Sequence, residues 1–183
     1  MSPMPNSFQN VIDANYANLY RFAVSLCRSQ NDAWDLTQET FLIWAKKGNT
    51  IRSQGATKSW LYTTLYREFL KTAKRSNRFT SIEDQELEYE GETATQDDIA
   101  KLDAHTAMEM LTELKIEYRK VVSLYYLESY SYKEIAKILD IPIGTVMSRL
   151  ARGKEILKRK YKQADTPKKV VDFSKTERSK RYG

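Results

Sequence analysis

SYKEIAKILDIPIGTVMSRLARGKEIL, residues 131–157, is the stretch on which the reading of the chain turns. In YKEIAKILD, Ile135, Ala136 and Leu139 fall on one side of a helix, and Ala136 is small enough for a second helix to cross closely. IPIG interrupts that pattern. Pro142 lacks an N–H and disfavours helix at Ile141, Gly144 is expected to permit a sharp turn, and Thr145 to cap or open the next helix. TVMSRLARGKEILKRK then sets Val146, Leu150, Gly153 and Leu157 at helical steps, an inward stripe that leaves Thr145, Met147, Ser148, Arg149, Arg152 and Lys154 on the outward faces. Two helices, a tight turn and a basic second helix fit a helix-turn-helix whose second helix enters the major groove. Arg149 and Arg152 could meet guanine N7 and O6 in bidentate fashion, and Ser148 or Thr145 could bond a base edge or a phosphate. An ordinary helical hairpin with solvated Arg and Lys would use the same residue types. Ala136, the Pro142-Ile143-Gly144 turn and the bases Arg149, Arg152, Lys154, Lys158, Arg159 and Lys160 coincide here, and together they favour DNA.

Upstream, the same helical spacing recurs without a strand pattern or an internal repeat. Met108, Leu111 and Leu114 form one inward set, and Tyr118, Val121, Val122 and Tyr125 share the next face. Nearer the amino end, Tyr16, Leu19, Phe22, Ala23 and Leu26 stripe a first helix. Asn31 and Asp32 offer an N-cap to a second, with Ala33, Leu36, Thr40 and Trp44 inward and Gly48 closing it. GNTIRSQGATKS, residues 48–59, reads as a loop; a third helix opens near Thr57 to Ser59, with Trp60, Leu61, Leu65 and Phe69 inward. The fold class is therefore all-α, in two small helical domains: residues 1–78 and 104–164, with a connector at 79–103 and a tail at 165–183.

The chain of 183 residues carries 30 Lys and Arg against 24 Asp and Glu, a net charge of +6 that hides a sharp asymmetry. Residues 79–104 hold nine acids and one base; they net −8 and leave +14 on the remainder. The connector has too few apolar residues to build a core and is expected to be flexible. Two basic bodies suggest a polyanionic partner, although charge runs are often only solvated surface. The tail TPKKVVDFSKTERSKRYG adds six bases and two acids, for which disorder with non-specific phosphate attraction is the expectation.

Several function classes drop out. Cys27 is a single cysteine and cannot form an internal disulfide, and His105 is the sole histidine, so a zinc site would need several carboxylates; no metal or cofactor is expected. His105 has no Cys, serine elbow or glycine-rich phosphate loop near it, which argues against an enzyme. No stretch approaches the ~18 apolar residues of a membrane span. The start MSPMPNSFQN lacks the basic and apolar regions of a leader, so a cytosolic protein without membrane insertion is expected.

Residues 131–157 resemble region 4 of bacterial RNA polymerase sigma factors, above all the small extracytoplasmic-function (ECF) group of the sigma-70 family, whose pattern is close to SYxEIAxxLxIPxGTVxSRLxRARxxL. DAWDLTQETFLIWAK resembles their region 2.2 pattern DAEDLxQExF, and TKSWLYTTLYREFLKTAKR resembles the WLxxIAxNxxxDxxR of regions 2.3 and 2.4. The resemblance implies an alternative sigma factor that binds core RNA polymerase and directs promoter-specific initiation, with no covalent chemistry of its own. It implies that Asp32, Asp35, Gln38 and Glu39 dock on the β′ clamp helices, with the β flap as a further contact, and that an anti-sigma factor is a candidate partner. It places −35 reading on Thr145, Ser148, Arg149, Arg152 and Lys154. For the −10 element it implies a base-pocketing loop over residues 51–58, including Ser53, Gln54 and Lys58, beside Trp60, with Arg67, Lys71, Lys74 and Arg75 for the phosphates. Trp60 is read as core packing first and base stacking second.

The sequence departs from the family pattern where Trp34 replaces the usual acid, where Arg67, Lys71 and Lys74 replace Asn, Asp and Arg, and where Lys115 replaces a frequent proline. The −10 preference of the family therefore does not carry over. The acidic connector, by the same resemblance, would run through the polymerase cleft and RNA exit path as a stand-in for RNA; an acidic solubilising tether explains its composition as well. The competing function is a stand-alone helix-turn-helix regulator with a degenerate amino-terminal interaction domain.

Overall fold

A computed structural model describes residues 8–27, 29–48, 51, 53–75 and 109–164, and all regular structure among them is helical. The connector at 79–103, His105 and the tail at 165–183 lie outside the described residues. Helices α1 (Phe8–Cys27), α2 (Gln30–Lys47) and α3 (Gln54–Arg75) form an amino-terminal body. Leu19, Phe22, Ala23 and Leu26 of α1 bury against Ala33, Leu36, Thr40 and Trp44 of α2, as their spacing requires. Thr37 and Thr40 enter this core because each hydroxyl donates back along the helix, to the Ala33 and Leu36 carbonyl oxygens at 2.7 and 2.8 Å.

In this body two helix starts differ from the sequence expectation. The cap of α2 is Ser29, ahead of Asn31 and Asp32: its extended backbone lets its hydroxyl accept the Asp32 N–H at 3.3 Å, which places Asp32 in the first turn. Helix α3 begins at Gln54, three residues ahead of the expected opening near Thr57 to Ser59, so residues 54–56, expected in the loop, are helical. Ser53 is the cause. Its hydroxyl accepts the Ala56 N–H at 3.2 Å, and its carbonyl accepts both the N–H and the hydroxyl of Thr57, at 2.9 and 3.1 Å. Gly48 does close α2, but in a right-handed conformation; it is glycine-sized because a Cβ would lie 2.5 Å from Trp44 Cε2.

The carboxyl-terminal body has a helical turn at 109–112, then α4 (Ile116–Tyr126), α5 (Tyr132–Leu139) and α6 (Ile143–Ala164). Helix α5 starts on a reciprocal cap: Ser131 Oγ accepts the Glu134 N–H at 3.4 Å while Glu134 Oε2 accepts from Ser131 N–H at 2.9 Å and Ser131 Oγ at 2.6 Å. Helix α5 ends at Asp140, which adopts the left-handed conformation (φ 54°, ψ 51°) and sends its N–H to the Ala136 carbonyl, joined by Ile141 N–H at 3.1 Å. Asp140, and not Gly144, therefore makes the turn. Because α6 begins at Ile143, Gly144 and Thr145 both lie inside its first turn, so Thr145 neither caps nor opens the helix as its sequence position suggested, and no described glycine has positive φ. Val146, Leu150, Gly153 and Leu157 face inward as their steps predict. A Cβ on Gly153 would approach Val122 Cγ2 to 2.5 Å, so this glycine sets how closely α6 lies on α4.

The two bodies are not separate. Helix α4 packs on α1 and α5 packs on α3, and the buried side chains of both bodies make one continuous cluster.

Candidate nucleic-acid and polymerase interface

Successive residues of α6 turn by ~100°, so with Val146, Leu150, Gly153 and Leu157 inward, Ser148 stands opposite the core. Thr145, Arg149 and Arg152 lie on one flank of that line, Ile143, Met147 and Ala151 on the other, beside Lys154 and Lys158. Arg152 Nη1 pairs with Glu155 Oε2 at 2.8 Å, and Ser148 Oγ donates to the Thr145 carbonyl at 3.2 Å. Thr145, Arg149, Arg152 and Lys154 are half-buried and Ser148 is exposed, and Lys154 stands on the Met147 flank, away from Arg149 and Arg152. Met147 and Ile143 are exposed at 52% and 43%, an apolar pair one turn apart that the −35 set had passed over.

On α2, Asp32, Asp35, Gln38 and Glu39 are all exposed, together with two large apolar side chains, Trp34 and Leu42, four residues to either side of Gln38. Leu42 was missed because its neighbours Phe41 and Trp44 carry the inward pattern; an apolar residue out of phase with the core stripe is the signal that finds it.

The −10 set is spread along α3. Ser53 is exposed and caps the helix, and Gln54 opens it. Trp60 is partly buried against the core, in keeping with packing first. Arg67, Lys71, Lys74 and Arg75 are exposed along the carboxyl-terminal half, with Lys71 Nζ 2.5 Å from Glu68 Oε1. Lys58 is different. It lies against the other body: its Nζ donates to the Glu128 carbonyl at 3.3 Å, stands 3.7 Å from Glu128 Oε2, and rests 4.9 Å from the centre of the Tyr130 ring.

That contact belongs to a polar network that sequence spacing did not reveal. The buried Tyr62 hydroxyl donates to Glu128 Oε2; burial first, and the carboxylate beside it second, push this phenol far above the usual tyrosine range. Arg119, also buried, donates to the carbonyl oxygens of Thr112 at 2.9 Å, Leu114 at 3.4 Å and, across the two bodies, Leu26 at 3.3 Å. Lys120 Nζ donates to the Tyr66 hydroxyl at 2.8 Å. Among the described residues no group of three metal-ligating side chains occurs, and no helix is long and apolar enough to cross a membrane.

A basic helix-turn-helix attached to a second helical body that bears an acidic and apolar surface is an arrangement of the class that DNA-binding proteins use. Comparison with known proteins narrows the class. Residues 11–79 match the model of sigma-70 region 2 and residues 105–157 that of sigma-70 region 4. The ECF RNA polymerase sigma factor SigL of Mycobacterium tuberculosis is 34% identical over 145 residues, covering 75% of this chain and 79% of its own. RNA polymerase sigma factor SigV of Bacillus subtilis is 27% identical over 141 residues, covering 77% and 82%. Among solved structures, the sigma factor RpoE of Bartonella quintana, in complex with the anti-sigma factor NepR, superposes with a TM-score of 0.65 at 26% identity over 85% of this chain and 96% of that one. The chain belongs to the ECF group of the sigma-70 family of RNA polymerase sigma factors.

Proposed function

We propose that the chain is a dissociable promoter-specificity subunit: α2 binds core RNA polymerase through Asp32, Asp35, Gln38 and Glu39, α6 reads the −35 element, and residues 51–75 open the −10 element. The observation that carries this reading is the outward face of α6, where Thr145, Ser148, Arg149 and Arg152 sit on the side of the helix turned away from its buried stripe of Val146, Leu150, Gly153 and Leu157. Hydroxyls and guanidinium groups at that spacing suit base edges and phosphates of the major groove. Trp34 and Leu42, flanking Gln38, add apolar area to the polymerase-facing surface, which supports a protein partner there. The structural likeness to a sigma factor bound by an anti-sigma factor supports a partner of that kind for this chain as well.

Core-polymerase binding and run-off transcription from a promoter library test the reading. The expected result is that core polymerase plus this chain initiates from a defined subset of promoters. A chain that binds duplex DNA tightly alone yet never directs initiation would instead be a stand-alone regulator, and the proposal would fall.

A further inference from the structure

Met147 and Ile143 lie one turn apart on the flank of α6 across Ser148 from Arg149 and Arg152, and both are exposed. An exposed apolar pair on an otherwise cationic helix has few uses in water. In a major groove it has one: the C5-methyl of thymine is the apolar group that a base pair presents there, and Met, being unbranched and polarizable, adapts to it. Lys154 and Lys158 flank the pair and Arg149 and Arg152 line the opposite flank, so the surroundings complement a polyanion better than an apolar protein surface. We infer that Met147, supported by Ile143, reads thymine methyl groups in the −35 element while Arg149 and Arg152 read purine edges. This rests on the −35 reading above.

The test uses holoenzyme and a −35 duplex selected by it from a randomised pool, with each thymine replaced in turn by deoxyuridine. That exchange removes only the methyl group. One or two positions should lose about three- to tenfold in affinity, and Met147→Ala, already weaker, should lose nothing more at those positions. If every deoxyuridine duplex binds like its parent, or if the penalty persists in Met147→Ala, the methyl reading is wrong and the pair serves a protein partner or none. Arg149→Ala in the same assay keeps the two readings apart: loss of sequence preference there with no deoxyuridine effect removes the methyl contact alone, whereas no sequence preference in the parent removes the −35 reading.

Discussion

Arg149 and Arg152 stand on the same flank of α6, and Lys158 lies two turns further from its amino end, so the three cations should behave differently on DNA. Arg149→Ala or Arg152→Ala is expected to cost about 1–3 kcal/mol and to relax preference at particular −35 positions. Lys158→Ala should weaken all duplexes alike and reduce the salt slope by about one. Affinity titrations across single-base variants at two salt concentrations separate these outcomes; equal losses on every duplex for all three would mean that no base is read. The ion pair with Glu155 does not prevent Arg152 from reading, because an exposed pair of this kind is worth only about 0–1 kcal/mol. These outward residues were legible from the spacing of Val146, Leu150, Gly153 and Leu157, which fixes one face and so the opposite one. The turn residue was not. Pro142 and Gly144 are the stronger sequence signals, but Asp140 can enter the left-handed region at modest cost, and the chain had already turned there.

At the scale of the element, a single contact constrains α6 and another constrains α5. For α6 it is Gly153. Gly153→Ala would gain about 0.5–1 kcal/mol of helix preference, but it would drive a Cβ to 2.5 Å from Val122 Cγ2, a short β-branched side chain with nowhere to swing. Overpacking of this kind costs about 1–3 kcal/mol, so the expected net result is a lower urea midpoint, and Gly153→Ala combined with Val122→Ala should recover part of it. For α5 the deciding contact is the cap. Hydrogen bonds from the Ser131 hydroxyl, then its backbone N–H, hold the Glu134 carboxyl below the usual carboxylate range. A folded-state pKa that is lowered adds stability above that range and loses it as the pH falls through it. Ser131→Ala should therefore cost about 1 kcal/mol at neutral pH, and Glu134→Gln should flatten the acid limb of the stability curve. Denaturation midpoints measured from pH 3 to pH 7 check the sign. The two misplaced helix starts of the amino-terminal body, at Ser29 and Ser53, come from this same chemistry: several small polar residues stand in a row, and which one caps depends on the backbone that precedes it.

At the scale of the whole molecule, the docking of the two bodies was the least legible feature. Tyr62 and Tyr66 share the helical period of Leu61 and Leu65, and nothing in that period tells which face meets a second body; Arg119 reads as a surface base until Leu26 is found across from it. Charge, in contrast, was legible from the start, and it yields a prediction that does not depend on where the connector lies. Replacing Glu83, Asp84, Glu86, Glu88, Glu90 and Glu92 by their amides would raise the net charge from +6 to +12. Free of those acids, the two basic bodies should bind non-specific duplex more tightly at low salt, and the gain should vanish near 1 M, where the screening length falls to about 3 Å. In the holoenzyme the same variant addresses the connector itself. If the acids occupy a cationic path that RNA later takes, losing them should shorten open-complex lifetime and change the lengths at which abortive transcripts accumulate. Unchanged lifetimes and transcripts, beside the tighter non-specific binding, would assign the −8 connector to restraining the free chain from stray DNA, since an electrostatic screen needs only its charge, whereas a stand-in for RNA needs its place in the polymerase.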